Sequence, residues 1–486
     1  MSSIDNTPTT KNSAAQGVLW ASIDKFSIVF LQFIINLVLA RLLVPEDFGM
    51  VGMILIIVAV STILADGGFG SALIQKHSPT EEDYSTAFCI NISTSLLIYG
   101  IIYLSAPWVA ELFEIPILQS YLRVLGTVIV INAFGLVSKV VLRRSLAFKQ
   151  IAISNICAYI IAATSATLMA LNGYGAWSLI AVYIVNAIFA NIFIYISAHW
   201  SPKKRPNSTS LKQLFAYGEF MLASDILSNI CFHIQGTVVG KYFTPYVAGQ
   251  YAQAKKMEEV ACVTFPSAIN QVLFPLYSRL QYNTTDLRGM LQLNTKTIAF
   301  IIFPLLTLLI IIAEPLIMLL FGPKWADSVV YFQALCIGGY FCALQYLNYN
   351  AVAAIGKSKI LFYAGTFKST FLISSLFIGA NISMWALLLG MVLSNVVNYL
   401  TNAILSHICI GYRIWDQLLD VVPLLIHAMI AGVITYYAYN ICGLHWVLSG
   451  VIYTTIYITT CYLSNNEIFF YVIKIGKRFV NSINNK

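Results

Sequence analysis

Charge is scarce in this sequence. Of 486 residues, 10% are Asp, Glu, Lys or Arg, against 59% hydrophobic residues. A soluble domain carries about a quarter charged residues, and so little charge cannot cover a surface in water. Other absences narrow the reading further. No hydrophilic stretch is long enough for a soluble domain; the longest is near 201–212. That leaves no room for the extramembrane loop where a membrane glycosyltransferase places its carboxylates. No G-x-x-x-x-G-K-[ST] phosphate loop occurs, so the chain is not expected to hydrolyse ATP itself. The nine cysteines lie singly, with no C-x-x-C pair. They read as small buried hydrophobes rather than as a disulfide framework or metal site. The polar first fifteen residues (MSSIDNTPTTKNSAA) lack the pattern of a cleavable signal.

What is there is apolar sequence in long runs. Phe88–Ala110 and Ser328–Gly356 contain no Asp, Glu, Lys or Arg. Gln150–Pro202, Ser369–Tyr412 and Val421–Asn466 are long enough for two spans each, with breaks at Asn172–Gly175, Gly379–Asn381 and Cys442–Gly443. A helix needs about 20 residues to cross the hydrocarbon, and these runs are too long and uniform for barrel strands of about 10 alternating residues. The expectation is an all-α integral membrane protein of about fourteen spans. They lie near 16–41, 47–70, 85–108, 119–140, 150–171, 175–199, 213–240, 246–277, 291–321, 327–355, 359–379, 383–410, 418–441 and 444–464.

Cations set the expected orientation. One set of loops holds Lys139, Arg143, Arg144, Lys149, Lys203, Lys204, Arg205, Lys212, Arg279, Arg288, Lys357 and Lys359. The opposite set offers Arg41, Lys241 and Lys324. Both termini are then cytoplasmic, Asn172–Gly175 and Gly443 face outward, and Lys203–Arg205 and Lys486 face the cytoplasm. The +8 formal charge is dispersed over short loops, so it reads as topogenic, with no nucleic-acid partner. In the tail, Ile468, Val472, Ile475, Phe479 and Ile483 recur at helical spacing beside Lys474, Lys477 and Arg478. That fits an interfacial amphipathic helix or a frayed last turn of the final span.

A repeat is also present. VLARLLVPEDFG (Val38–Gly49) returns two hundred positions later as VVGKYFTPYVAG (Val238–Gly249). Val, Pro and Gly recur in register, and Arg41 becomes Lys241. In each copy an apolar run ends in a cation, turns at a proline and restarts. Proline suits a first helical turn, where its missing N–H would have no partner anyway. Two similar membrane halves are the plan of many transporters. Arg41 and Lys241 are expected at corresponding outer ends of spans one and seven.

Several charges fall inside spans, where each costs about 2.5–3.5 kcal/mol on insertion scales. Asp24 and Lys25 are adjacent in the first; Lys25 lies about 13 Å inward at 1.5 Å per residue. Asp225 is equivalent to Lys25 under the repeat. Lys255, Lys256, Glu258 and Glu259 cluster in the eighth span, Arg123 opens the fourth and Lys368 lies in the eleventh. Lining a wet cavity for an anionic head group is one reading. Mutual pairing, such as Lys255 with Glu259 one turn on, or snorkelling of Arg123, is the other. Asp24 and Asp225 are candidates for ion coupling, or partners of Lys25. His233 reads as a packing residue.

Several segments in order resemble the Wzx-type polysaccharide flippases of the multidrug/oligosaccharidyl-lipid/polysaccharide exporter superfamily. They are ARLLVPEDFGMVGM (Ala40–Met53), ADGGFGSALIQKHSPTEEDYSTAF (Ala65–Phe88), LRRSLAFKQIA (Leu142–Ala152), NGYGAWSLI (Asn172–Ile180), GQYAQAKKMEE (Gly249–Glu259) and FPLYSRLQ (Phe274–Gln281). The resemblance implies two pseudo-symmetric six-helix lobes around a central cavity, 1–205 and 206–412, then spans thirteen and fourteen over 413–466 and a tail over 467–486. It implies a transporter, not an enzyme, in the bacterial cytoplasmic membrane. The implied substrate is an undecaprenyl-diphosphate-linked oligosaccharide, moved by alternating access for O-antigen, capsule or exopolysaccharide synthesis. Partners would be that lipid, the bilayer and the polysaccharide polymerase. No cofactor is implied, with a proton or sodium gradient or the membrane potential as driving force. On this reading Lys25, Arg41, Arg123, Lys241, Lys255, Lys256 and Lys368 contact substrate, and Tyr346, Asn348, Tyr349 and Asn350 are sugar contacts or interhelical bonds. A peptidoglycan-precursor or multidrug exporter of the same superfamily is the alternative, and a membrane glycosyltransferase a weaker one.

Overall fold

In a computed structural model the described residues are 11–442 and 445–474. The side chains of 11–19, 212–225 and 267–272, and a few isolated ones, lie outside the described set. Gly443, Lys486 and the tail beyond Lys474 also lie outside it. Among the described residues every regular element is helical. Two compact units divide the chain, Met1–Gly249 and Gln250–Lys486.

The first unit holds α1 (Lys11–Leu42), α2 (Pro45–Asp66), α3 (Phe69–Gln75), α4 (Glu81–Phe113), α5 (Leu118–Arg144), α6 (Phe148–Leu171), α7 (Ala176–Ala198) and α8 (Ser208–Tyr242). Gly67 and Gly68, both at positive φ, separate α2 from α3, so the expected span 47–70 ends early. Small side chains set the closest packing. Ser154, Ala158, Ala162, Ala166 and Ala170 form a buried stripe at every fourth residue of α6, which packs between α1 and α7. With no hydrophobic force between helices in lipid, such stripes let backbones approach and gain dispersion contact. The helix α5 runs on to Arg144, so Lys139, Arg143 and Arg144 stand on a helix and not in the loop expected from the sequence. No breaking residue precedes Ser145, and the chain turns at Leu146 with φ 56°.

A further helix, α9 (Pro245–Glu259), leads from the first unit into the second, followed by a π-helical turn over Val260–Thr264 and α10 (Phe265–Arg279). One residue explains the turn. Pro266 has no N–H to donate to the Cys262 carbonyl, and its ring crowds that oxygen. The freed carbonyl instead accepts from Cys342 Sγ at 3.8 Å. Beyond it lie α11 (Thr284–Ile311), α12 (Ala313–Leu320), α13 (Ser328–Ala354), α14 (Ser358–Ile382), α15 (Met384–Ile410), α16 (Ile414–Cys442) and α17 (Trp446–Leu463). In the second unit α13 packs against α10, α11 and α15, and α16 against α11 and α17. Cys262, Cys336, Cys342 and Cys461 are buried in this core.

Twelve of these helices, among the described residues, are long and apolar enough to cross a membrane. The other two expected spans, 213–240 and 246–277, fall on α8 and on the α9–α10 run, which are helical. The sequence 467–474 is again helical after a break at Asn465, whose φ is 50°. The Asn466 side chain accepts from the amides of Ile468 and Phe469, so this segment is a new capped helix and not a frayed end of α17.

The repeat has a direct structural expression. Arg41 lies in the last turn of α1 and Lys241 in the last turn of α8, and each is followed by a helix starting at proline. These two starts cross backbone to backbone. A Cβ on Gly49 would lie 2.0 Å from the Pro245 carbonyl oxygen, and one on Gly249 would lie 1.8 Å from that of Pro45. Gly49→Ala and Gly249→Ala should each therefore cost about 3 kcal/mol, the upper end for overpacking, because backbone cannot yield as a side chain does. Gly52→Ala, one turn further along α2 with nothing near its Cβ position, should be neutral. Thermal unfolding of the three purified variants in detergent checks this; equal stability would show that the crossing does not exist.

Candidate functional site

Charges inside the spans fall into two groups, those with a partner and those without. In the first unit, Asp24 accepts from Asn155 Nδ2 at 3.0 Å, joining α1 to α6. Lys25 lies half-buried beside it. Arg123 packs back on α4: its guanidinium sits 4.2 Å from the Tyr103 ring centroid and its Nε donates to the Tyr103 carbonyl at 3.2 Å. Lys241 donates to the Leu112 carbonyl in the last turn of α4, a place where a helix dipole favours a cation. Arg41 is exposed. Asp225 stands on α8, with its side chain outside the described set.

Arg143 and Arg144 are adjacent in sequence and behave differently: Arg143 is exposed. Arg144 donates to the carbonyls of Leu73, Ile74 and Lys76 at 2.7–2.9 Å and of His77 at 3.2 Å. It closes the orphan carbonyls at the end of α3. Beside it, Lys76 pairs with buried Asp83 at 2.8 Å, and Asp83 in turn caps the start of α4 through Thr80. The linker after α7 is fastened to the same turn. Lys204 pairs with Glu82 at 2.8 Å, and that carboxylate raises the Lys204 pKa. The amides of Lys204 and Asn207 donate to the Ser85 and Thr86 hydroxyls. The glycine-rich, acidic and basic segments of the sequence thus form one knot.

In the second unit, Lys255 pairs with Glu258 at 2.7 Å, and not with Glu259 as its spacing suggested. The shorter i,i+3 step brings Glu258, which is almost fully buried, onto the lysine. Lys256 is exposed, with no hydrogen bond or ion pair among the described residues and Glu259 within electrostatic range. Lys368 on α14 donates to Asn402 Oδ1 at 2.9 Å and stands 5.6 Å over the Tyr349 ring. It has no carboxylate partner among the described residues. One face of α13 links these groups: Cys342 lies within electrostatic range of Lys255 and Glu258, Gln345 accepts from Asn402 through its carbonyl at 3.2 Å, and Tyr346 lies near the same pair. Asn348, in contrast, is buried and donates to Gln417 at 3.1 Å, an interhelical bond. Gln345 and Asn402 were not singled out from sequence; neutral amides in spans are too common to signal a site.

The same unit contains an apolar groove of about 820 Å³. Phe303 and Ile310 of α11, Ile337 of α13 and Val421, Met429 and Val433 of α16 line it. The wall α16 is tied to α11 by Lys296–Asp420 at 2.9 Å and Arg288–Asp416 at 2.9 Å, with Tyr412 and Gln292 also donating to Asp420.

Many apolar spans with polar clusters and lone cations among them define a multi-span membrane protein. A structure of the lipid II flippase MurJ in an inward closed conformation covers 93% of this chain and 99% of that chain, with a TM-score of 0.76 and 15% identity, which shows the fold. A family model described as "Polysaccharide biosynthesis protein" matches residues 38–330, more than half of the chain, and the chain belongs to that family. Curated relatives include the teichuronic acid biosynthesis protein TuaB of Bacillus subtilis, 25% identical over 73% of this chain and 74% of its own length. The succinoglycan biosynthesis transport protein ExoT of Rhizobium meliloti is 28% identical over 74% and 72%. This company is that of polysaccharide-biosynthesis transporters in the exporter superfamily resembled by the sequence.

The buried pair sets a stability test. Lys255→Met leaves Glu258 without its cation and should cost about 3–5 kcal/mol, whereas Lys255→Met with Glu258→Gln should recover most of that. Unfolding of both variants in detergent decides it; a single variant as stable as the parent would contradict the pairing.

Proposed function

We propose that this chain flips an undecaprenyl-diphosphate-linked oligosaccharide across the bacterial cytoplasmic membrane. The observation that carries the reading is the pairing, within one unit, of cations lacking carboxylate partners with a long apolar groove. A lone lysine among spans costs about 2.5–3.5 kcal/mol, and an anionic ligand relieves that cost. Lys256 and Lys368 would take phosphates, and Asn402 and Gln345, bonded in series to Lys368, would take sugar hydroxyls together with Tyr346. The groove along α16 suits a polyprenyl chain, which gains about 25 cal/mol per Å² of apolar surface removed from water. The relatives' names, which speak of polysaccharide synthesis and transport, support the same substrate class.

Transport proceeds by alternating access between two lobes, 1–205 and 206–412, related by a two-fold axis along the membrane normal. The reciprocal crossing of the two repeat copies supports that symmetry. Span thirteen adds the outer wall of the groove. Both termini are cytoplasmic, Lys25 is a separate phosphate contact in the first unit, and Asp24 is the coupling candidate for a proton or sodium gradient. The polymer-forming enzyme outside is the expected recipient.

Two measurements test this. Lys368→Ala and Lys25→Ala should each abolish surface polysaccharide while the protein stays in the membrane, with lipid-linked oligosaccharide accumulating in the inner leaflet. The Arg variants should retain part of the activity, since charge survives but geometry changes. Normal flipping by well-expressed Ala variants would remove these residues from the site. For topology, a cysteine at Asn172 should react with an impermeant maleimide in intact cells and one at Lys204 should not; labelling at Lys204 would invert the orientation.

A further inference from the structure

The end of α5 carries charge that nothing above uses. Leu136, Lys139, Val140 and Arg143 share one face, at steps of three and four. That face packs on the start of α3, where Asp66 at the end of α2 is also close: a Cβ on Gly70 would meet Leu136 at 3.3 Å and both Val140 and Asp66 Oδ1 at 3.8 Å. Lys139 is half-buried between buried Ser138 and Val140, inside a helix apolar enough to span the membrane. It makes no hydrogen bond or ion pair among the described residues. Arg143 is exposed one turn on and also has none there, in contrast to Arg144 with its four carbonyls. Like charges at i,i+4 repel, at a cost of a few tenths of a kcal/mol. Asp24 and Asp66 lie within electrostatic range of the lysine. Asp66 closes α2 at its C-terminus, where the helix dipole opposes a carboxylate, so a nearby cation is needed there.

We propose that Lys139 and Arg143 form an anion-binding site that takes the diphosphate of the substrate, with Asp24 and Asp66 holding the lysine charge when the anion is absent. This rests on the lipid-linked reading. Two cations about 5–6 Å apart at their Cβ atoms reach one phosphate each. Lysine serves as a point charge and arginine as a two-pronged donor. Arg143, being exposed, meets the anion first, and Lys139 draws it inward. The aspartates compete with the ligand for the lysine, so they tune release.

The probe is farnesyl diphosphate, titrated calorimetrically into the full chain in phosphatidylcholine nanodiscs, with farnesol as the uncharged control. Lys139→Gln and Arg143→Gln should each weaken diphosphate binding about tenfold, the scale of one charge-assisted bond; Lys139→Arg should bind nearly as the parent, and Lys357→Gln unchanged. Asp66→Asn should tighten binding, a gain that a merely structural ion pair would not give. Adding phosphatidylglycerol should leave the affinity unchanged. Displacement of the probe by that lipid would make this a headgroup site and overturn the proposal. Parent-like binding by Lys139→Gln and Arg143→Gln would overturn it too, while leaving the lipid-linked reading intact. A parent chain that binds no diphosphate would overturn both.

Discussion

In hydrocarbon no water completes the hydrogen bonds of a polar side chain, so each charge in a span must find a partner within the protein or face a wet space. That constraint sorts the cations of this chain. Arg144, Lys241, Lys255 and Arg123 are satisfied by carbonyls, a carboxylate or a ring. Lys256, Lys139 and Lys368 lack a carboxylate bonded to them among the described residues. The first group holds helices in place. The second has charge to offer a ligand. A residue's type does not decide its group: Arg143 and Arg144 are neighbours on one helix and differ only in which way a 100° step per residue turns them.

Helices and the protein class were legible because they depend on composition over tens of residues. Long uncharged runs permit little else, and polar turns such as Asn172–Gly175 break them where the sequence suggested. Breaks inside runs were harder. Pro266 and Glu258–Glu259 sit in the eighth expected span, but whether a proline kinks, ends or bulges a helix depends on what receives its freed carbonyl. Here that is Cys342, eighty residues away. The site was half legible for the same reason. Lysines inside spans stand out by cost alone, and their partners do not. Asn155, Asn402 and Gln345 look like many other amides until packing brings them to a charge. Lys139 was misplaced because a cation near a span end reads as a loop residue, whereas α5 continues for another turn.

The α16–α17 pair looks like an appendage in sequence, two spans after a twelve-span repeat plan. Its first helix is nevertheless bonded into the unit. Asp420 receives donors from Lys296, Gln292 and Tyr412, and Gln417 receives Asn348 and Tyr399. Beyond this polar network α16 is largely apolar from Val421 to Val433, with His427 as the polar exception. Charge ties the first turns of α16 to α11, and the apolar stretch that follows forms a wall of the groove.

The reciprocal contact of the two repeat copies explains why three identities in twelve residues carry information. Proline starts each helix, and a glycine four residues on lets the other copy's proline carbonyl come within reach of its backbone. Because Gly49 meets Pro245 and Gly249 meets Pro45, both contacts draw on the same two residue types at the same spacing. A side chain at either glycine forces both copies apart at once, since the crossing is shared. The turn geometry supplied by Pro45 and Pro245 is useful for this packing only if both glycines are present. Two weak local preferences, a proline at a helix start and a glycine one turn later, thus become a strict requirement once the two repeat copies pack against each other.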